Sequence, residues 1–467
     1  MPISNPIRSG GVASGIDTES IVQKLVSVQS IGLRRLQIQK VRTEGIQSAY
    51  TSLSEKLTTL KSKVSALNLT STLDARTASI SDATVLTATA AAGTSLGTYS
   101  VSILQASTAT KLNGGTNISN GTLNVTATLN SSGLSTTVSP STGNFSINGT
   151  AISYDTSVDS VNSIISQINS SAAGVLASYD SVNDRMILTN KNNGPTAISV
   201  SDNSGNLGFA LGLTSGTSTT LGQSAQIQIN GGATLSSNDD IFTDAETGIT
   251  GLTLTLKKGS GTAQVTVASD TASIRTAFDS FVTAYNDVVD FTTKQSAISG
   301  PETAKVTGPF SGDQSVQFFQ RSLRETVGAR FNGQPEGYES LISIGVGTTG
   351  RSPDISVFDG DKLSKAFTDN PSSAKTLLTD STNGIMAKLN TFLNSQSTGA
   401  NGLIKTKESR YNDQITRLKT SIDRETRNLK QYEERTRASF EAMERAVSSF
   451  QGGLSQILSN LNPTSSN

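Results

Sequence analysis

The side chains able to do covalent chemistry are few in this chain, and their spacing argues against each candidate. Its 467 residues include no cysteine and no histidine. Thiolate and imidazole metal sites are therefore excluded, as are nucleophilic mechanisms that need Cys or His. Carboxylates, Lys and Ser remain. Asp239-Asp240 is the most obvious carboxylate pair. Adjacent side chains on a strand face opposite ways, so these two could not flank one glycosidic bond; a turn beside a strand is the simpler reading. Asp359-Gly360-Asp361 begins like a calcium loop but lacks the further acidic ligands of an EF-hand, and it predicts a helix cap ahead of Lys362-Leu363. Gly10-Gly11-Val12-Ala13-Ser14-Gly15 and Gly259-Ser260-Gly261 lack the Lys-Ser/Thr of a phosphate loop and read as hinges. No catalytic, cofactor-binding or metal-ligating residue is assigned. No cofactor is expected, and the chain is not read as an enzyme.

The informative pattern is instead a pair of apolar seams, one at each end. Ile46, Tyr50, Leu53, Leu57, Leu60, Val64 and Leu67 are separated by alternating steps of four and three. Tyr411, Ile415, Leu418, Ile422 and Leu429 start the same rhythm near the C-terminus. Phe440, Met443, Val447, Phe450, Leu454, Ile457 and Leu461 finish it. Such steps place one apolar stripe along a helix, as in a coiled coil. A helix with only that stripe must bury it against its counterpart or another subunit. Residues 17–69 and 411–461 would make rods of about 80 and 75 Å, with an earlier stripe through Ile21, Leu25, Val28 and Leu36. An eleven-residue step from Leu25 to Leu36 is a stutter that locally unwinds a left-handed supercoil. Gln39, Thr43, Glu425 and Thr436 interrupt the seam with polar groups.

Charge separates the ends from the middle. Residues 1–77 carry ten basic against five acidic residues, residues 78–256 three against ten, and residues 403–461 eleven against eight. A mildly acidic, sparsely charged middle does not suit a phosphate-backbone groove, so nucleic acid is not expected as a partner. No stretch approaches the roughly 20 apolar residues of a membrane span, so membrane insertion is not expected either. Residues 1–15 hold no apolar core of a secretory signal.

From about Thr77 to Lys257 the sequence alternates with period two, as in Tyr99-Ser100-Val101-Ser102-Ile103, Leu123-Asn124-Val125-Thr126, Gln226-Ile227-Gln228-Ile229 and Leu252-Thr253-Leu254-Thr255-Leu256. These predict half-buried strands. A helix with Val158, Val161, Ile164, Ile165 and Ile168 on one face interrupts them, followed by strands at Gly174–Tyr179, Arg185–Thr189 and Ala197–Val200. Past residue 270, apolar spacing predicts helices around Ile274–Val289, capped by Asp270 or Ser273, at Phe319–Val327, after Asp361 and Pro371, and at Ile385–Leu393. The fold class is α+β and multidomain: a terminal coiled-coil leg, a mixed helical and strand base, and β-rich head domains.

Five segments occur in the order found in one known family. Ser14-Gly15-Ile16-Asp17 with Ile21-Val22-Gln23-Lys24-Leu25 is similar to its opening, and Gly97-Thr98-Tyr99-Ser100-Val101 to its entry into the head. Val158 to Leu213, with Ile168-Asn169 and Ala177-Ser178-Tyr179-Asp180, resembles the flagellin/hook IN module. Thr243-Asp244-Ala245 through Leu256, and the run from Gly402 to Leu461, resemble its later segments. The chain thus resembles the bacterial flagellar filament-capping family, hook-associated protein 2 or FliD. That resemblance implies a leg at 1–45 and 416–467, a base at 46–76 and 269–415, a β-rich head at 77–143 and 222–268, and a nested head domain with an IN-type module at 144–221. It implies a structural cap at the distal filament tip that promotes flagellin insertion and prevents loss of flagellin. Implied partners are other copies in a ring, five or six in number, together with flagellin, the hook–filament junction protein and an export chaperone. Implied localisation is secreted and extracellular, on the flagellum, exported without a cleaved signal peptide. Two alternatives stay open here: a hook–filament junction or other axial protein, and an adhesin or glycan-binding protein acting through the head.

Overall fold

The computed structural model describes residues 14–301, 305–348, 353–397 and 402–461. The α+β class holds, and two compact units are resolved: Met1–Leu69 with Arg275–Asn467, and Thr70–Ile274. Helices α1 (Thr18–Gln29), α2 (Ile31–Leu67) and the single turn α3 (Thr70–Leu73) come first. Strands β1 (Arg76–Ile80), β2 (Leu86–Ala90), β3 (Gly97–Gln105), β4 (Lys111–Asn113), β5 (Thr142–Ile147) and β6 (Thr150–Asp155) precede α4 (Val161–Ser170). Next come β7 (Val175–Asp180), β8 (Arg185–Asn190), β9 (Val200–Ser204), α5 (Leu207–Ala210) and β10 (Ser218–Thr220). They are followed by β11 (Ala225–Ile229), β12 (Thr234–Ser237), β13 (Ile241–Phe242), α6 (Asp244–Thr247), β14 (Leu252–Leu256) and β15 (Gly261–Ser269). Helices return as α7 (Thr271–Ser296), α8 (Gln314–Val327), α9 (Gly360–Asp369), α10 (Pro371–Thr379), α11 (Ile385–Ser397) and α12 (Leu403–Leu461). Among the described residues no helix is long and apolar enough to cross a membrane.

In the helical unit the two rods run antiparallel. Gln47 meets Asn412, Gly32 faces Glu425, Glu19 pairs with Arg437 and Ser14 with Glu444. Each step back along the first rod is matched by a near-equal step forward along the second. The first rod is not the single helix expected over 17–69. It breaks at Ser30, whose hydroxyl donates to the Ser27 carbonyl at 2.7 Å, while Arg34 donates to the same carbonyl at 3.0 Å. The backbone ladder continues on both sides, from the Ser30 N–H to the Val26 carbonyl at 2.8 Å and from the Arg34 N–H to the Ser30 carbonyl at 3.0 Å, so side chains take over at the Ser27 carbonyl. The buried face also differs from expectation. Val22 is buried, whereas Leu25 and Val28 are exposed, because the face toward α12 lies one residue over. The second rod starts at Leu403, earlier than the expected 411.

Capping sets the other helix boundaries as the sequence suggests. Asp270 accepts from the Ser273 N–H at 3.0 Å at the start of α7, and Asp359 from the Lys362 N–H at 2.8 Å at the start of α9. Asp359-Gly360-Asp361 is thus a cap, as expected.

The strand-rich unit contains two apolar cores. One lies among β1-β15-β3-β11-β12 and β13-β14-β2, around Val101, Ile227, Phe242, Leu254 and Val265. Its period-two logic is plain in β14, where Leu252, Leu254 and Leu256 are buried and the threonines between them are not. The other core lies among β10-β4-β8-β7, β6-β5-β9 and α4. It enlists Leu112, Ile118, Leu123 and Leu129 from ahead of β5. Asn148-Gly149 joins β5 to β6 with both residues at positive φ, 50° and 80°, the two-residue turn that matches strand twist.

Three local expectations fail in this unit. Leu123–Thr126 is not a strand: Asn124 Oδ1 accepts from the Thr126 N–H at 3.1 Å and the Ala127 N–H at 3.2 Å, closing a turn. Val158 lies outside α4 and is exposed, since the helix starts only after the Ser160–Ser163 capping box. Ala197–Ser199 stays irregular, with the Ser199 N–H taken by Asn148 Oδ1 at 3.0 Å, and the strand begins at Val200.

Candidate assembly surface

The seam residues divide into a covered inner set and an open outer set. On α2, Tyr50, Leu53, Leu57, Leu60, Val64 and Leu67 are all fully buried, and Ile46 is half-buried. Helices α11 and α12 pack over them. On α12, Ile415 and Leu418 are buried, and Tyr411, Ile422, Leu429, Phe440 and Val447 are half-buried. Met443 between them, and Phe450, Leu454 and Ile457 beyond them, are exposed, Phe450 by 74% and Ile457 by 59%. The side chain of Leu461 lies outside the described residues. On the first rod the open set is Leu25, Val28, Ile31, Ile38 and Val41, with Ile38 exposed by 69%. Of the polar interruptions, Thr43 is buried because its hydroxyl donates to the Gln39 carbonyl at 2.8 Å.

A polar knot fastens the inner end. Asp313 accepts from the Ser315 N–H at 3.0 Å as the N-cap of α8, from the Tyr50 hydroxyl at 2.5 Å and from Lys407 Nζ at 2.6 Å. One carboxylate thus ties α8, α2 and α12 together. The Tyr50 ring packs on Phe310 at 4.8 Å and stacks on Tyr411 at 5.8 Å, with the Lys407 ammonium 5.7 Å from its centre. Burial, then the Asp313 carboxylate, push the Tyr50 phenol up. Burial alone would raise the Asp313 carboxyl, but hydrogen bonds from Lys407 and Tyr50 outweigh it and hold the group low. Sequence reasoning finds Tyr50 and Tyr411 but misses Asp313 and Lys407. Gly312-Asp313 ahead of an apolar helical stretch was a legible cap signal; its distant partners were not.

The outer half is fastened more lightly. Arg437 forms a two-point ion pair with Glu19, its Nη2 at 2.8 Å from Oε1, and is braced by Glu433 at 3.1 Å. The Arg437 hydrogen bonds, followed by that from Gln23, hold the Glu19 carboxyl at about 2. This pair is half open to water, so screening limits its contribution.

Asp239 and Asp240 are engaged with the backbone: Asp239 accepts from the nearby Ile241 N–H at 2.9 Å, and Asp240 from the distant Ser107 N–H at 2.8 Å. Among the described residues no group of three or more carboxylates is placed to hold a metal. Gly259 lies in the turn between β14 and β15, while residues 10–13 lie outside the described residues.

Known proteins share this sequence pattern. The family model for the flagellar hook-associated protein 2 N-terminus matches residues 14–110, the model for its C-terminus residues 222–452, and the flagellin hook IN motif residues 144–192. The chain belongs to the flagellar hook-associated protein 2 family. The polar flagellar hook-associated protein 2 of Vibrio parahaemolyticus is 30% identical over 51% of this chain and 35% of its own length. The chain thus spans well under half of that relative. The A-type flagellar hook-associated protein 2 of Pseudomonas aeruginosa is 24% identical over 98% of both chains. The fold is shared with the flagellar cap protein FliD D1-D2-D3 domains from Escherichia coli, with a TM-score of 0.58 at 23% identity over 78% of this chain and 99% of that one. In flagellar hook-associated protein 2 terms, the N-terminal match includes both α1 and the covered run of α2, and the C-terminal match ends within the open stretch of α12.

Proposed function

We propose that this chain is a structural cap at the distal tip of the bacterial flagellar filament, where it promotes flagellin insertion and limits flagellin loss. One observation carries the reading beyond family membership. The rods are sealed at their inner end, yet Phe450, Leu454 and Ile457 stand uncovered along the outer part of α12. Apolar side chains in such a row favour an interaction surface over solvent, and a filament end of helical subunits would cover them. A leg at 1–45 and 416–467, a base at 46–76 and 269–415, and a two-part head make up the proposed working parts. Proposed partners are other copies in a ring of five or six, flagellin, the hook–filament junction protein and an export chaperone. Export through the flagellar secretion channel would deliver the chain to the cell exterior.

Truncation after Val447 tests the proposal, because it removes Phe450, Leu454 and Ile457 and leaves the Glu19–Arg437 pair and every buried or half-buried seam residue. The shortened chain should fold, with unchanged melting of both units, yet fail to restore filaments in a strain lacking its own cap. Filaments of ordinary length would overturn the reading.

A further inference from the structure

Strand β7 forms one edge of the sheet β10-β4-β8-β7, and its ladder runs only to β8. The edge carries an uncharged run, Val175-Leu176-Ala177-Ser178-Tyr179, whose Leu176 is half exposed. Such an edge is a template for strand addition by another chain. Here one side chain occupies its centre. Asn169, in the last turn of α4, accepts from the Ala177 N–H through Oδ1 at 2.6 Å and donates through Nδ2 to the Ala177 carbonyl at 3.2 Å. Both bonds of one residue are satisfied together, as a paired strand would satisfy them. The side chain is firmly placed. Ile168, its neighbour, is fully buried in the core, and Lys191 Nζ donates to the Asn169 carbonyl at 2.8 Å. The capping box of Ser160 and Ser163 holds the other end of the helix.

We propose that Asn169 closes the β7 edge against strand addition by a second copy of this chain. Antiparallel pairing of two β7 strands about Ala177 would set 175 opposite 179 and 176 opposite 178. It would bring no charges together, so the edge's own sequence does not oppose it. The carboxamide does, by taking the two bonds at the centre of that pairing. This also accounts for the adjacent Ile168-Asn169 pair: the first residue enters the core and the second seals the sheet beside it. The inference stands independently of the filament-cap reading.

The test uses the full chain carrying Asn169→Leu, which keeps the branched side-chain shape and loses both bonds. The Ala177 amide should exchange with deuterium at least tenfold faster in dilute protein. Sedimentation should show concentration-dependent association beyond that of the parent. Adding Leu176→Lys, which places charge on the edge strand, should remove the extra association and leave the fast exchange. Unchanged exchange, fast exchange without added association, or association that the lysine fails to remove would each overturn the proposal. Should circular dichroism show Asn169→Leu unfolded, Asn169→Asp serves instead, because it keeps the acceptor and loses the donor. Intermediate exchange with weaker association is then expected, and parental values for both would refute it.

Discussion

Asp313→Asn puts the polar knot to a quantitative test. The variant keeps the side-chain shape and an oxygen to accept from the Ser315 N–H, but it places an amide NH2 where the Tyr50 hydroxyl and Lys407 bonded and removes the charge facing Lys407. The lysine is 15% exposed and the carboxylate 14%. Breaking a fully buried pair by removing one partner costs about 3–5 kcal/mol, while an exposed pair contributes about 0–1 kcal/mol. The Lys407 ammonium also retains the Tyr50 ring face, for about 0.5–1 kcal/mol. The expected loss is therefore about 2 kcal/mol. For a unit of this size about 2–4 °C accompanies each kcal/mol, so the helical unit should melt about 4–8 °C lower by far-UV circular dichroism.

Lys407→Met should cost less, since Asp313 retains the Tyr50 hydroxyl and the α8 N-terminus. The double variant should be about as stable as Lys407→Met alone, so the coupling in the double-mutant cycle equals the whole Asp313→Asn loss, about 2 kcal/mol. The acid limb supplies a second readout. Because the folded Asp313 carboxyl lies below its ordinary value, its contribution is present above about pH 4 and fades as pH falls through that value and below. Asp313→Asn should lack this component. Additive single losses within about 0.5 kcal/mol, or an unchanged acid limb, would refute the assignment of Asp313 as the tie between the helices.

Two other expectations follow from the same geometry. The Glu19 carboxyl lies at about 2 against an ordinary 4.5, so docking of α1 on α12 should weaken as pH falls between these values. Lower protection of the α1 amides at pH about 3 than at pH about 5, after division by the slower intrinsic exchange at the lower pH and absent in Glu19→Gln, is the expected pattern for a carboxylate of depressed pKa. Leu57→Ala should destabilise the helical unit by about 2–5 kcal/mol, whereas Ile38→Ala, at an open position, should stay within about 0.5 kcal/mol by denaturant unfolding.

Much of this arrangement is readable in the sequence where a local rule suffices. The run from Tyr50 to Leu67 announces its helix by spacing, Asp270 and Asp359 announce their caps, and Leu252-Thr253-Leu254-Thr255-Leu256 announces its strand. Where local hydrogen bonding competes with periodicity, the periodic reading fails. Ser30 and Arg34 side chains both engage the Ser27 carbonyl of the first rod, and Asn124 turns an alternating tetrapeptide into a bend. Choosing Val22 over Leu25 as the inward residue required knowing from which side α12 approaches. The contacts of Asp313 with Tyr50 and Lys407 span 263 and 94 residues, beyond any motif. Asn169 is legible as part of a motif, but its bond to Ala177 depends on how α4 lies across β7.

Four-three spacing states which residues share a helix face, and it leaves open whether that face is covered. Leu53 and Leu57 are sealed because α11 and α12 pack against α2 there. Leu454 and Ile457 follow the same rhythm and remain exposed. What separates them is the supply of neighbours, so stability should fall along the rods from the packed, ion-paired inner end to the open outer end. The break at Ser30 fits this gradient. It lies outside the covered run, where interrupting the helix costs little core packing, and the antiparallel register continues past it to Glu19 and Arg437. Opening of this pair should therefore start at the outer end and stop near Tyr50, where loosening the rods would have to expose an aromatic cluster and part Lys407 from Asp313 in a single step.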